Sequence, residues 1–310
     1  MTSIPLSGPP IRLRPLRRGS QLTHTVAVMR GVLQESRPVV QLIFLIRACT
    51  AAGMPFRFSL PAAGAVAGWS MVSMAVYVGN GITDRDGDRI NGSARPIATG
   101  ALPLTAAGAA MIVLAVAGTA LCALSEPATI PLAIGFLLLG WAYSTGPALK
   151  NSPVGFSVVI GLGAALTYLT GWLAGGAGEP AALAFGIAMA FWVGLTCAAK
   201  DFSDTEGDRL AGRRTWPVLL GTHRASCWLG MATLAGSLGM VAMAVLVAPV
   251  LQLAMAVVMT GSVTLNLTCS RSVSAPSSGR PNRPARRGPY RVYMWTQYVA
   301  HLAFVVAILA

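Results

Sequence analysis

The chain has 310 residues, 54% of them hydrophobic and only 11% charged, with a mean hydropathy of +0.63. Soluble domains carry about 25% charged residues, so an ordinary soluble globule and a disordered protein are both excluded, and the class is a multi-span membrane protein. The net charge of +13 would suit a nucleic-acid partner, but cytoplasmic loops of membrane proteins also gather Lys and Arg.

Residues 1–36 form a polar, basic stretch carrying Arg12, Arg14, Arg17, Arg18 and Arg30. The segment after Arg17-Arg18 is broken by Arg30 and Glu35, so it offers no signal-peptide core. The expectation is a flexible or surface-lying cytoplasmic arm, followed by one membrane domain over 37–310. Apolar runs then predict spans near 38–57, 60–83, 103–124, 128–148, 153–176, 180–200, 225–246, 248–269 and 290–310. Each is close to the roughly 20 residues that cross a hydrocarbon core. The fold class is therefore all-α, polytopic, with about nine transmembrane helices. The 34 Gly and 20 Pro predict close helix packing and kinks, with Gly171-x-x-x-Gly175 as one packing signal.

Loop charge sets an orientation. With the N-terminus inside, the inner regions are the arm and the loops near 84–102, 149–152, 201–224 and 270–289. They hold or adjoin 21 of the 23 Lys and Arg, leaving only Arg47 and Arg57 elsewhere. This asymmetry predicts a cell-membrane protein with its N-terminus and polar loops cytoplasmic. It also removes the need for a nucleic-acid partner. The Ser/Pro/Arg-rich loop 270–289 reads as disordered and resting against anionic lipid headgroups. The five Cys lack CxxC spacing and the three His lie far apart, which gives no disulfide framework or zinc site.

The scarce acids are more informative than the abundant bases. All six Asp fall in two segments: Asp84, Asp86, Asp88 and Asp201, Asp204, Asp208; of the four Glu only Glu206 joins them. Offset by 120 residues, Asp84 aligns with Asp204, Gly87 with Gly207, Asp88 with Asp208, Arg89 with Arg209 and Gly92 with Gly212. The duplication implies two similar half-sites facing a shared centre. On a helix, Asn80, Asp84 and Asp88 fall within about 80° of one face, and Asp201, Asp204 and Asp208 within about 60°, while Asp86 and Glu206 point away. Like charges one turn apart repel, a cost that a cation between them would offset. Oxygen-only ligands without imidazole or thiol point to magnesium, completed by water and phosphate oxygens. A solvated acidic loop flanked by arginines is the plainer alternative. The duplication, the shared face and the near-absence of acid elsewhere weigh against it.

These residues resemble the signatures of the UbiA superfamily of membrane prenyltransferases. Asn80-x-x-x-Asp84-x-x-x-Asp88 with Arg89, Asn91 and Arg95-Pro96 is similar to the first signature, and residues 200–212 (KDFSDTEGDRLAG) to the second. Tyr143-Ser144-x-x-Pro147-x-x-Lys150 and Arg37-Pro38 are similar to two further family stretches. The resemblance implies a nine-helix bundle around a cavity open to lipid, and transfer of a prenyl group from an isoprenyl diphosphate to an aromatic or quinone-precursor acceptor. It implies two magnesium ions, one held by Asn80, Asp84 and Asp88, the other by Asp204 and Asp208. Asp201, as the leading acid of the second signature, would join that site and orient the acceptor. Arg37, Asn91, Arg95, Lys150 and Arg209 would bind diphosphate, and Tyr143 would line the reaction centre. Cations would stabilise the leaving diphosphate while an apolar cavity keeps water from the allylic carbocation. A terpene cyclase of the same superfamily, or a phosphosugar or other lipid acceptor, fits the same signatures. A transporter would carry its carboxylates mid-span, whereas these sit at helix ends.

Overall fold

The computed structural model describes residues 18–53, 59–90, 92–210, 212–274 and 287–310. Its helices are α1 (Arg18–Glu35), α2 (Pro38–Ala51), α3 (Leu60–Ile90), α4 (Pro96–Thr99), α5 (Leu104–Ser125), α6 (Ile130–Ser144) and α7 (Pro153–Ala174) in the first half. The second half holds α8 (Pro180–Thr196), α9 (Thr205–Leu210), α10 (Trp216–Leu220), α11 (Thr222–Leu246), α12 (Gln252–Ser274) and α13 (Gly288–Leu309). Among the described residues, eight helical segments are long and apolar enough to cross a membrane, and α2 is a further, shorter apolar helix of 14 residues. The all-α, polytopic expectation is met, with eight full-length spans and α2 at the place of the first predicted one.

The prolines start helices instead of kinking them. They stand in the first turn of α2, α4, α6, α7, α8, α10 and α13, where φ is already suitable and the missing N–H has no partner to lose. None lies in the interior of a described helix. Proline, one of the two residue types from which kinks were expected, thus marks helix starts among the described residues.

Packing in lipid needs close backbone approach, because hydrocarbon gives no hydrophobic drive between helices. Glycine supplies it at two places. A Cβ on Gly68 of α3 would lie 2.7 Å from the Gly118 carbonyl of α5, and the reverse holds for Gly118. A Cβ on Gly171 would lie 2.1 Å from the Ala48 carbonyl, and one on Gly175 2.6 Å from that of Ala52. The Gly171-x-x-x-Gly175 signal thus marks the contact of α7 with α2. Between these contacts sits an aromatic core, with Phe44, Trp69 and Phe136 on one side and Tyr168, Phe185 and Phe304 on the other. Large apolar side chains such as Ile112, Val113 and Val116 on α5 face outward and are well exposed, as a lipid-facing surface requires.

One polar network crosses this core. Arg47 of α2, buried, donates from Nη2 to the Gln297 side-chain oxygen of α13. His301 Nδ1 lies 2.6 Å from the Gln297 carbonyl, and its Nε2 lies 2.8 Å from the Tyr168 hydroxyl of α7. A carbonyl only accepts, so Nδ1 carries the proton and Nε2 accepts from Tyr168.

Two expectations change. Residues Arg18–Glu35 of the arm form a helix whose last turn is partly sunk into the bundle, with Val32, Glu35 and Ser36 buried while Leu33 and Gln34 stay exposed. The apolar face of α1 and a buried ion pair described below bring it into the bundle. The second cluster is also not one α-helical stripe. Residues Cys197–Ser203 are 3-10 helix, Asp204 sits at φ −115°, and α9 starts afresh at Thr205. Most of the loop 270–289, from 275 to 286, lies outside the described residues.

Candidate active site

Helix α3 continues two turns beyond its predicted span and carries the whole first cluster on one regular helix. The face arithmetic therefore holds there. Asp84 and Asp88 turn inward with side chains 15% and 20% exposed, while Asp86 is 72% exposed and pairs with Arg85 at 2.8 Å. Asn80 accepts a hydrogen bond from Ser144 of α6 at 3.1 Å.

Both clusters end in the same backbone device. The N–H groups of Gly92 and Gly212 bond to the carbonyls of Arg89 and Arg209 at 3.1 Å. Those of Ser93 and Arg213 bond to the carbonyls of Asp88 and Asp208 at 2.9 and 2.8 Å. Gly92 and Gly212 take φ of 62° and 69°, the left-handed conformation that glycine adopts without a Cβ penalty. A short helix follows each, α4 and α10, and each ends at a glycine of positive φ, Gly100 at 80° and Gly221 at 77°. The sequence repeat is thus a structural repeat.

The two clusters meet through cations. Lys150 Nζ lies 2.6 Å from Asp84 Oδ1, and Arg213 Nη2 lies 3.1 Å from the same oxygen. Arg213 Nη1 reaches Asp208 of the second cluster at 3.7 Å. Arg213 therefore joins one acid from each half, and the backbone N–H of Arg214 bonds to the Asn151 carbonyl at 3.3 Å, tying this loop to the one that carries Lys150. Burial pushes the Asp208 carboxyl above its ordinary range, and neighbouring Asp204 and Asp84 push the same way, against Arg213 and Lys200. Burial alone would lower the Arg213 guanidinium, but the carboxylates of Asp84 and Asp208 outweigh it and raise it. Asp208 thus holds its charge at a cost, which a cation beside it offsets.

The remaining predicted residues fall as follows. Asp201 is buried beneath the second cluster and Asp204 is half-buried. Tyr143 is half-buried against Phe156, ring centroids 6.3 Å apart. Arg95 is buried between Asp88 and Glu35, while Arg209 is exposed. Arg37 opens α2 with φ 59°, and Ala148, two residues before Lys150, has φ 48°; left-handed non-glycine residues of this kind are uncommon and cluster at functional sites. Asn91 lies outside the described residues. Arg213 and Glu35 are the members that the sequence reading passed over. Arg213 aligns with Ser93 in the repeat, so the duplication carried no signal for it.

A divalent cation fits these donors by chemistry, since every candidate ligand is a carboxylate or amide oxygen. Among the described residues, no three carboxylate, imidazole or thiol side chains converge on one point. A magnesium ion on so few protein oxygens would be completed by water and phosphate oxygens.

Comparison with known proteins agrees with this architecture. The model of the UbiA prenyltransferase family matches residues 40–309. A digeranylgeranylglyceryl phosphate synthase of Halobacterium salinarum is 33% identical over 298 residues, covering 89% of this chain and 96% of that protein. A second protein of that name, from Pyrococcus abyssi, is 30% identical over 164 residues, covering 50% of this chain and 58% of that protein. Among solved structures, a UbiA homologue from Archaeoglobus fulgidus bound to DMAPP and Mg2+ aligns with a TM-score of 0.66 and 23% identity, over 89% of this chain and 99% of that one.

Proposed function

The chain belongs to the UbiA prenyltransferase family as a multi-pass membrane enzyme, and we propose that it transfers the prenyl group of an isoprenyl diphosphate to a hydrophobic acceptor in the bilayer. The observation that carries this reading is the Arg213 bridge, which draws Asp84 and Asp208, one from each repeat, to a single cation. Solved relatives hold DMAPP or GPP with Mg2+, which supports an isoprenyl diphosphate and a divalent cation here.

Asn80, Asp84 and Asp88 would hold one magnesium ion and Asp204 and Asp208 another, with Asp201 behind them. Magnesium would supply charge that stabilises the departing diphosphate. Lys150 and Arg213 are poised at the same place to bind diphosphate oxygens, with Arg37 and Arg209 as further candidates. As the allylic C–O bond breaks, negative charge grows on diphosphate beside these cations. Positive charge stays on the prenyl group, within apolar and aromatic walls that include Tyr143 and Phe156. The acceptor's electron pair closes the new bond, and the acceptor proton leaves to water or diphosphate.

An aromatic ring was the acceptor expected from the family resemblance. The name of the Halobacterium relative favours instead the hydroxyl of a prenylated glyceryl phosphate, and we adopt that acceptor class. The loop charges support cytoplasmic placement of the site.

The test is protein in nanodiscs with labelled prenyl diphosphate and Mg2+, offered prenylated glyceryl phosphate, an aromatic acid, or nothing. Diphosphate release with label in a glyceryl phosphate lipid is expected, and EDTA should abolish it. Label in the aromatic acid alone would overturn the acceptor, and cyclic hydrocarbon made without acceptor would overturn transfer itself.

A further inference from the structure

Glu35 lies at the end of α1, outside both signatures, yet its side chain is fully enclosed. One of its oxygens meets the Arg95 guanidinium at 2.6 Å, and the other accepts the Ile97 backbone N–H of α4 at 3.0 Å. Arg95 Nη1 turns to Asp88 Oδ2 at 3.0 Å, and Nη2 also donates to the carbonyls of Glu35 and Tyr77, each at 3.3 Å. Helix α3 is hollowed to admit the pair. A Cβ on Gly81 would come within 2.1 Å of the Glu35 carboxylate and 2.7 Å of Arg95.

A carboxylate is a costly way to anchor a helix, since an apolar side chain of similar size usually stabilises as well or better. The geometry shows what this charge does. A guanidinium can engage both oxygens of one carboxylate through parallel N–H groups. Here the fork is split, one nitrogen to Glu35 and one to Asp88, and among the described contacts only Oδ2 of Asp88 is engaged. Without the charge of Glu35, Arg95 could turn both nitrogens onto Asp88 and close both oxygens.

We propose that Glu35 is a positioning residue for the first half-site, holding Arg95 so that one oxygen of Asp88 stays open to a divalent cation. The inference rests on the proposed role of Asp88 as a metal-facing acid. It makes α1 part of the site.

The test uses full-length protein in nanodiscs and Mn2+ as the probe, bound and free ion being counted by electron paramagnetic resonance with an unreactive prenyl diphosphonate present. Glu35→Gln should weaken Mn2+ binding about tenfold or more, the usual effect of losing an outer-shell partner. Both Arg95 nitrogens are engaged within the protein, and Arg95 is not among the diphosphate ligands proposed above, so Glu35→Gln combined with Arg95→Met leaves no guanidinium to close Asp88 and should bind Mn2+ at least as tightly as the wild type. Unchanged affinity in Glu35→Gln overturns the proposal. So does a double variant weaker than the wild type, and that arm stands even where the single variant does not fold. A wild type that fails to bind Mn2+ overturns the proposed function instead.

Discussion

In the first half of the molecule Asn80, Asp84 and Asp88 ride one unbroken helix that carries them out of the apolar core in regular steps. In the second half, Asp201 sits in a 3-10 turn, Asp204 at a break and Asp208 in a fresh six-residue helix. The closing turns are alike, down to the left-handed glycine and the bond from the next N–H. Ser203 donates to the Lys200 carbonyl at 2.9 Å just as Thr83 donates to the Asn80 carbonyl at 3.0 Å on the unbroken helix, so that bond does not set the two apart. Thr205 does differ: it donates to the Asp201 carbonyl at 3.0 Å where the first cluster has Arg85, and such a local bond offers the chain an alternative to a continuous ladder. The break turns Asp201 and Asp208 further inward than Asp84 and Asp88. The same letters at the same offsets thus yield one partly open half-site and one more buried half-site, joined through Arg213.

The largest test of this contrast is Asp84→Asn, which removes the acid that both Lys150 and Arg213 hold. Diphosphate release under saturating Mg2+ should fall about a thousandfold, in the range of lost transition-state charge stabilisation. Asp86→Asn, on the outward face, should stay within about twofold, as exposed sites do. Equal losses in the two would mean that the stripe does not face a site. Next comes Arg213→Met, expected to cost about a hundredfold in kcat/KM. Added to Asp84→Asn it should cost little more, because residues in one network are not additive. Full additivity would break the claim that the halves act through one cation. The smallest effect concerns what the halves share. Gly92→Ala and Gly212→Ala should each lower stability in detergent by about 1 kcal/mol, the cost of forcing a Cβ into left-handed backbone. No atom stands within 4 Å of either added Cβ, so the two losses should match. A marked inequality would show that the caps are not equivalent.

Much of this was legible in the residues. Span count and the inward face of the first cluster followed from hydropathy and a 3.6-residue period, because a regular helix obeys both, whereas the prolines were expected to kink helices and instead open them. The second cluster escaped because its period was assumed, although Ser203, Asp204 and Thr205 in succession are the residue types that interrupt helices. Arg213 was hidden by its lack of a counterpart in the repeat. Glu35 looked like one more polar residue of a basic arm, and only tertiary structure brings it against Arg95, 60 residues away.

The buried Arg47 has a consequence for how the molecule is made. Helix α2 is about 21 Å long at 1.5 Å per residue, short of a hydrocarbon core of about 30 Å, and an arginine at its middle adds about 3 kcal/mol to the cost of insertion. Its partner Gln297 follows 250 residues later. At about 5–20 residues per second, a ribosome needs roughly 12–50 s to deliver it. Through that interval Arg47 has the Phe44 ring of its own helix, 5.6 Å away, but not the amide oxygen of Gln297. The polar seat of Arg47 is thus complete only once α13 has been translated, whereas the glycine contacts of α2 with α7 are available much earlier.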